Sequence, residues 1–307
     1  AMELTRRMVE QNPESLDAKL YRIETLMHPQ LGESDHLAEA AQLAEAVEAR
    51  LLADPQPPLT VARMAEVLAS QRRGAEPTFE NGRERAEALA RVGLARQPES
   101  AVFNTLLAGL LQMQGKNAEA MEHYAKTWRD RSELMAPDML RAHELRIRSG
   151  LAYADLLVGE ADTEGDPAAR EKKLAEAEGI LKEVETITGE SPFLLLTRGK
   201  MALTRRQWVQ AMQHLDKAAD QFEGQNLEAT LLSARARQLS GEPGAAAEQL
   251  ERVARQLPDA VNLRLQLAEL YIGMRRPAQA QRHPDAVPAL EPSNLNAPTL
   301  RAQPARR

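Results

Sequence analysis

The sequence predicts an all-α fold, a solenoid built from repeated pairs of helices. Hydrophobic residues make up 43% of the 307 residues and aromatic residues only 3%, while strong helix formers such as Ala, Leu, Glu and Arg predominate. Clusters of β-branched and aromatic residues, which would indicate strands, are missing. One apolar helical face recurs with a period close to 34 residues. A fixed period of this length is typical of repeat architectures, in which each unit packs on its neighbours.

Six alanines mark the recurring face. These are Ala86, Ala120, Ala177, Ala211, Ala246 and Ala280, separated by 34, 57, 34, 35 and 34 residues. Four residues after each stands Ala, Tyr or Leu, with Pro284 as the exception, and seven residues after each stands a small or β-branched residue. Positions i, i+4 and i+7 lie on one side of a helix, so we expect this side to be buried in every repeat.

A second helix precedes each alanine and carries its own pattern. Leu107-Ala108 and Leu267-Ala268 place a large residue beside a small one, which lets two helices approach closely. Gly115 and Gly241 then stand where a helix end needs a left-handed residue, and prolines such as Pro258 end the repeat.

Together these features resemble the tetratricopeptide repeat (TPR). The resemblance implies a right-handed superhelical solenoid of antiparallel helix pairs, called here helix A and helix B. It also implies that the A helices line a concave groove in which a protein or peptide partner binds. The six alanines fall in helix B.

The predicted organisation is one TPR-like solenoid over residues 1–292 and a Pro-rich tail, 293–307, expected to be mobile. The solenoid comprises a half repeat at 1–13 and repeats at about 14–55, 56–98, 99–134, 135–191, 192–225, 226–258 and 259–292. Because the chain opens within a repeat, we expect it to be a fragment of a longer array.

Several repeats depart from the regular length. Loops are predicted at 28–36, at 71–83 and at 159–168, the last after a long helix that starts near Pro137. Pro284 and Pro288 fall inside the last helix B, where proline costs about 3 kcal/mol or more, so we expect that repeat to be frayed.

Composition argues against several functional classes. The net charge of −6, with both signs interspersed, argues against nucleic acid as a partner. The absence of cysteine excludes disulfides, thiol catalysis and Cys-based zinc sites. The sequence contains no run of 18 apolar residues, so it does not predict direct membrane insertion. Cytoplasm and periplasm both remain open.

Sequence motifs for catalysis or metal binding are also missing. GxSxG, Walker A and GxGxxG patterns do not occur, so we expect neither an enzyme nor a cofactor. The acidic segment from Glu160 to Asp166 departs from the EF-hand spacing, because Gly165 precedes Asp166. The six histidines form neither HxxxH nor HExxH, so we expect no metal site.

The resemblance assigns ligand-facing positions to helix A. They are Thr105, Gly109 and Gln112; Leu196, Lys200 and Leu203; Leu231, Arg235 and Gln238; and Leu265, Glu269 and Ile272. The Lys and Asn clamp with which chaperone-binding relatives hold a C-terminal carboxylate is not found there. We expect instead an extended or helical segment lying across Leu196, Leu231 and Leu265, with Lys200 and Arg235 meeting its acidic groups. The alternative is that these leucines pack against the next repeat.

The sequence therefore favours a protein–protein interaction scaffold or adaptor that binds a peptide or protein segment without catalysis. One alternative is a recruiting or regulatory arm of a larger enzyme, or of a bacterial secretion or exopolysaccharide-export assembly. Another is a self-assembling module, which would make the protein a homo-oligomer. The Ala-, Arg- and Pro-rich composition favours a bacterial source.

Overall fold

A computed structural model of the chain describes residues 1–28, 34–55, 57–70, 79–130, 139–223, 226–257, 260–280 and 282. All regular structure in these ranges is helical. The helices are α1 (Met2–Gln11), α2 (Leu16–Leu26), α3 (Ser34–Ala53), α4 (Pro58–Ala69), α5 (Gly82–Arg96), α6 (Ala101–Met113), α7 (Asn117–Arg129), α8 (Met139–Thr163), α9 (Pro167–Thr188), α10 (Pro192–Thr204), α11 (Trp208–Gln221), α12 (Leu227–Leu239), α13 (Pro243–Gln256), α14 (Val261–Gly273) and α15 (Pro277–Ala280).

Helix starts follow from local capping chemistry. Asp166 accepts backbone hydrogen bonds at 3.2 Å from Ala168 and Ala169, and Ser191 accepts one at 3.3 Å from Leu194. Proline occupies the first helical position of α4, α9, α10 and α13, where its missing N–H costs nothing.

Packing between helices is local along the chain. Every substantial contact between described helices joins elements one or two apart in chain order. Successive pairs such as α6 and α7 therefore form the repeats, and A helices such as α4 and α6 touch each other directly. This is the nearest-neighbour packing of a solenoid.

The predicted buried face is confirmed for the six alanines and for most of the residues four and seven positions later, although Val253 is half-buried and Pro284 and Val287 lie outside the described residues. Ala86, Ala120, Ala177, Ala211 and Ala246 are fully buried, and Ala280 is 4% exposed. The large residues one turn later are buried as well, at Leu181, Leu215 and Leu250 among others. At the start of the chain, Ala1 precedes α1 and is exposed, and Thr5 is the buried residue of α1.

The turn between helix A and helix B has the same backbone in four repeats. Gly115, Arg206, Gly241 and Arg275 each stand five residues before the helix B alanine, and their φ angles are +76°, +59°, +91° and +59°. In each turn the next N–H donates to the carbonyl five residues back, at 2.8 or 2.9 Å. The predicted left-handed glycines are confirmed, and arginine adopts the same conformation in two repeats.

Some predicted boundaries differ in the structure. The loop expected at 159–168 is shorter, because α8 continues to Thr163 and places Glu160 and Asp162 on the helix. Each predicted repeat range contains one helix pair, although the repeat boundaries themselves stay a prediction. Most of the two earlier insertions, the positions of Pro284 and Pro288, and the tail 293–307 lie outside the described residues.

The chain divides into two compact bodies, Ala1–Leu156 and Leu157–Arg307, called here the N-terminal and C-terminal bodies. The division falls within α8. In the C-terminal body, one core cluster surrounds Leu195, Leu215 and Ala218, and another surrounds Leu250, Leu263 and Leu267.

Candidate functional site

The A helices of the N-terminal body form an open groove. It lies along α4, α6 and α8 and has a volume of about 380 Å³. Small and apolar side chains make up most of its lining, including Ala62 and Ala65 from α4 and Leu106 from α6. Met113, which is 52% exposed, stands at the C-terminal end of α6 and also lines the groove.

Gly109 leaves space in the middle of this groove. A Cβ atom built on Gly109 would meet, among the described atoms, the hydroxyl of Tyr124 at 3.6 Å, which is ordinary contact. Packing therefore does not require glycine here. By contrast, a Cβ on Gly93 would lie 2.3 Å from the Phe103 ring, where the close approach of two helices does require glycine.

Charged side chains edge the groove. Glu66 stands on α4, and Glu144 and Arg148 stand one turn apart on α8. All three side chains are exposed, and none makes a hydrogen bond or ion pair with the part of the chain that the structure describes. Counting only the residues that the structure describes, the groove therefore offers an apolar floor together with two carboxylates and one guanidinium that are not engaged in hydrogen bonds or ion pairs.

The predicted site residues of the N-terminal body have structural partners. Thr105 lines the groove, but it is buried, and its hydroxyl lies 2.9 Å from that of Ser149. Gln112 accepts a 3.1 Å hydrogen bond from the hydroxyl of Tyr124. Burial raises the pKa of Tyr124, so this hydroxyl stays a donor at neutral pH.

The predicted site residues of the C-terminal body divide by burial. Leu196 is 6% exposed and belongs to a core cluster that also contains Ala229 and Ala236 of the next repeat. Lys200 pairs with Glu228 at 2.8 Å. The half-buried residues are Leu203, Leu231, Leu265 and Ile272, and the exposed residues are Arg235, Gln238 and Glu269. Exposed surface for a ligand therefore comes mainly from the three polar residues.

A second cavity, of about 430 Å³, lies against α12, α13 and α14. Its lining is largely charged, and Arg237 within it is bound to Asp216 at 2.5 Å. Tyr271 donates to Glu251 at 3.1 Å. Because several of its polar groups already satisfy each other, we favour the groove of the N-terminal body.

The acidic segment, His123 and His214 contribute to local structure. Lys173 bridges Glu160 and Glu164 at 3.1 and 3.2 Å. His123 and His214 are half-buried, and burial lowers the pKa of each. Within the described ranges, no three His, Asp or Glu side chains are grouped so that they could hold a metal ion. No helix described there is long and apolar enough to cross a membrane.

Sequence reasoning placed the site mainly on the leucines of the C-terminal body and missed Ala62, Glu66, Glu144 and Arg148. A signal for the groove was nevertheless present in the sequence. Among the ligand-facing positions, the place held by Gly109 is held by Lys200, Arg235 and Glu269 in later repeats.

Comparisons with known proteins agree with this architecture. The family model described as the tetratricopeptide repeat matches residues 238–303. No curated protein matches the sequence.

Solved structures match over most of the chain. A tetratricopeptide repeat protein from Parabacteroides merdae is 12% identical with a TM-score of 0.59, over 92% of this chain and 98% of that one. The Cut9–Hcn1 hetero-tetramer of the APC/C gives 15% identity and a TM-score of 0.58 over 98% of this chain. This chain spans about half of that protein, 51%. PilW, a type IV pilus biogenesis factor, is 17% identical with a TM-score of 0.55, over 80% of this chain and 94% of that one.

At these identities the likenesses show the fold. Three features of the chain itself agree with the fold of these structures: the buried alanines, the repeated turn and the nearest-neighbour packing. The protein therefore has the all-α solenoid fold of the tetratricopeptide repeat proteins, and its residues 238–303 carry that family's own sequence pattern.

Proposed function

We propose that this protein is a non-catalytic interaction module that binds a peptide or protein segment in the groove along α4, α6 and α8. The TPR fold supports a scaffold role in general. The observation that carries the specific proposal is the groove itself, whose apolar floor is edged by charged side chains that have no partner in the described ranges. Apolar surface supplies affinity in such sites, and a few polar groups set orientation.

The dimensions suit a side-chain-sized anchor on a longer segment. A volume of about 380 Å³ is at the lower end of ligand pockets, and the groove is open along its length. An extended peptide lying along the three A helices would place every second side chain on the floor of the groove. A helical peptide would place there the side chains of successive turns. A role as the recruiting arm of a bacterial assembly is compatible with this mode, and PilW offers one example of the fold in a biogenesis factor.

The test uses peptides selected from a random library displayed on phage, with the whole chain as bait. Binding constants are then measured by fluorescence anisotropy for the wild type and for Met113→Arg. Met113 lines the groove and is 52% exposed, so a charged side chain there obstructs the groove without disturbing the core. We expect Met113→Arg to raise Kd by about tenfold or more.

Leu239→Arg is the matched control. Leu239 ends α12 as Met113 ends α6, both stand seven residues before a helix B alanine, and their exposures are 48% and 52%. We expect Leu239→Arg to change Kd by less than about twofold, because the site lies elsewhere. If instead Leu239→Arg or Lys200→Glu/Arg235→Glu abolishes binding while Met113→Arg does not, the site is on the C-terminal body and the proposal fails.

A further inference from the structure

The C-terminal body shows how one repeat fills the place that is open in the N-terminal body. Lys200 and Gly109 occupy the same repeat position, eleven residues before the helix B alanine. Lys200 extends from α10 to the neighbouring helix A, where its ammonium lies 2.8 Å from a carboxylate oxygen of Glu228 on α12. The lysine side chain is 21% exposed, so it covers the surface between the two A helices.

The N-terminal body keeps the carboxylate and lacks the lysine. Glu144 stands six residues before Gly150 on α8, as Glu228 stands six residues before Ala234 on α12. Gly150 and Ala234 are the small residues of their A helices, so the two glutamates hold equivalent positions. Glu144 is exposed and has no ion pair with the described residues, and the preceding helix A offers Gly109 in place of a lysine.

A second carboxylate adds negative charge to the groove. Glu66 lines the same groove from α4, and it too has no partner among the described residues. Among the described residues that line the groove, Arg148 is the one cation. Arg148 stands one turn beyond Glu144 on α8. A ligand whose cationic group lies at Glu144 would therefore place a neighbouring anionic or carbonyl group near Arg148.

We propose that the groove takes a segment carrying a lysine or arginine, whose side chain lies over Gly109 and pairs with Glu144 as Lys200 pairs with Glu228. The apolar stem of the basic residue covers Leu106, and its charged end meets the carboxylate of Glu144, while Glu66 adds negative charge elsewhere along the groove. An acidic residue close to it in the segment meets Arg148. This inference rests on the proposed function and specifies the partner's chemistry.

The first experiment supplies the basic group from the protein itself. Gly109→Lys reproduces the pair of α10 and α12, so the new lysine competes with the segment for Glu144. We expect peptides selected through the groove to bind Gly109→Lys more than about tenfold more weakly, and Gly109→Ala within about threefold of wild type. Both variants should melt at or above the wild-type temperature, because each replaces a helical glycine, which separates blocked binding from damaged folding.

The second experiment reverses the charge. Replacing the peptide's basic residue by norleucine should raise Kd by about three- to fivefold, as expected for the loss of an exposed ion pair. Glu144→Lys should lose the basic peptide and regain affinity for the same peptide carrying glutamate at that place. Glu122→Lys, an exposed position on α7 outside the groove lining, serves as the matched surface-charge control.

The outcomes distinguish this inference from the proposed function. One outcome would overturn the inference and leave the proposed function standing. In it, the selected peptides require Met113 for binding, lack a basic residue and bind Glu144→Lys with the same affinity as wild type. Selection of no peptide that depends on Met113 would overturn both. Charge reversal rescued by the glutamate peptide supports both.

Discussion

At the scale of single residues, the turn between helix A and helix B shows a backbone conformation kept under unlike side chains. Arg206 and Arg275 adopt φ of +59° where Gly115 and Gly241 adopt +76° and +91°. An L-residue in this region costs about 1 kcal/mol, because its Cβ approaches the following carbonyl. The two arginines therefore store strain that the neighbouring helices impose.

This strain predicts opposite effects of exchanging the residues. Arg206→Gly and Arg275→Gly should each raise the free energy of unfolding by about 0.5–1 kcal/mol. Gly115→Ala and Gly241→Ala should each lower it by about 1 kcal/mol. Urea unfolding followed by circular dichroism measures both. If Arg206→Gly and Arg275→Gly instead lose stability, the contacts of the arginine side chains contribute more free energy than the strain of the left-handed backbone costs.

The ionisation of Asp216 links pH to the stability of the fold. It accepts hydrogen bonds from Ser233 at 2.5 Å and from Arg237 at 2.5 and 3.0 Å. Burial opposes its ionisation, but the hydrogen bonds from Arg237 and Ser233 outweigh burial, so its pKa lies below the usual value. A lowered pKa in the folded state means that the carboxylate stabilises the fold above its unfolded pKa. That contribution is lost as the pH falls through the folded pKa.

We therefore expect Asp216→Asn to lower the free energy of unfolding at neutral pH by about 1 kcal/mol. The variant should also lose less stability than wild type as the pH falls below about 4. Thermal melts across this pH range test both points, with Asp220→Asn, an exposed position on the same helix, as control. Parallel acid curves for wild type and Asp216→Asn would contradict the assignment.

At the scale of helices, glycines mark the closest approaches. A Cβ on Gly150 of α8 would lie 2.4 Å from the indole ring of Trp128 on α7. The same atom on Gly179 of α9 would meet nothing within 4 Å among the described residues. One substitution therefore has opposite consequences on two long helices.

Gly150→Ala should lower stability by about 1–3 kcal/mol, because the ring and the helix must move apart. Gly179→Ala should raise it by about 0.5–1 kcal/mol through helix propensity. Unfolding monitored by tryptophan fluorescence reports on both variants and on the environment of Trp128. Equal effects of the two substitutions would show that α7 and α8 are packed more loosely than the structure indicates.

Helices and their buried faces were predictable because they rest on local periodicity. The series from Ala86 to Ala280 identifies helix B, and Gly115 and Gly241 identify its preceding turn. The matching turns at Arg206 and Arg275 carry no glycine, so composition alone did not reveal them. The extension of α8 to Thr163 differs from the prediction, because closely spaced acidic residues and Gly165 are typical of a loop, yet Glu160 and Asp162 continue the helix.

The candidate groove was harder to predict, since it depends on side chains from three separate repeats. Position by position, the resemblance selected Thr105 and Leu196, which packing buries. It could not show that Glu66, Glu144 and Arg148 border one groove, because insertions separate their repeats in sequence.

At the scale of the whole molecule, nearest-neighbour packing limits how far a disturbance spreads. A Cβ on Gly199 would lie 2.4 Å from Leu215, inside the C-terminal body. Because repeat arrays derive stability from adjacent units, Gly199→Ala should open α10, α11 and their neighbours more readily than α2 to α5.

Hydrogen exchange of the intact chain tests this expectation. We expect exchange in α10 and α11 to rise by about tenfold or more in Gly199→Ala, with α2 to α5 within about twofold of wild type. A uniform increase over both bodies would show that the chain unfolds as one cooperative unit.

The same local packing bears on how the chain is made. Because the substantial contacts join helices no more than two apart in chain order, a newly synthesised helix pair meets its partners as soon as the next pair emerges. Short sequence separation between contacts favours rapid folding. Each repeat can therefore be sheltered by its successor during translation, and the ribosome's pace, rather than a search between distant segments, sets the order in which the array assembles.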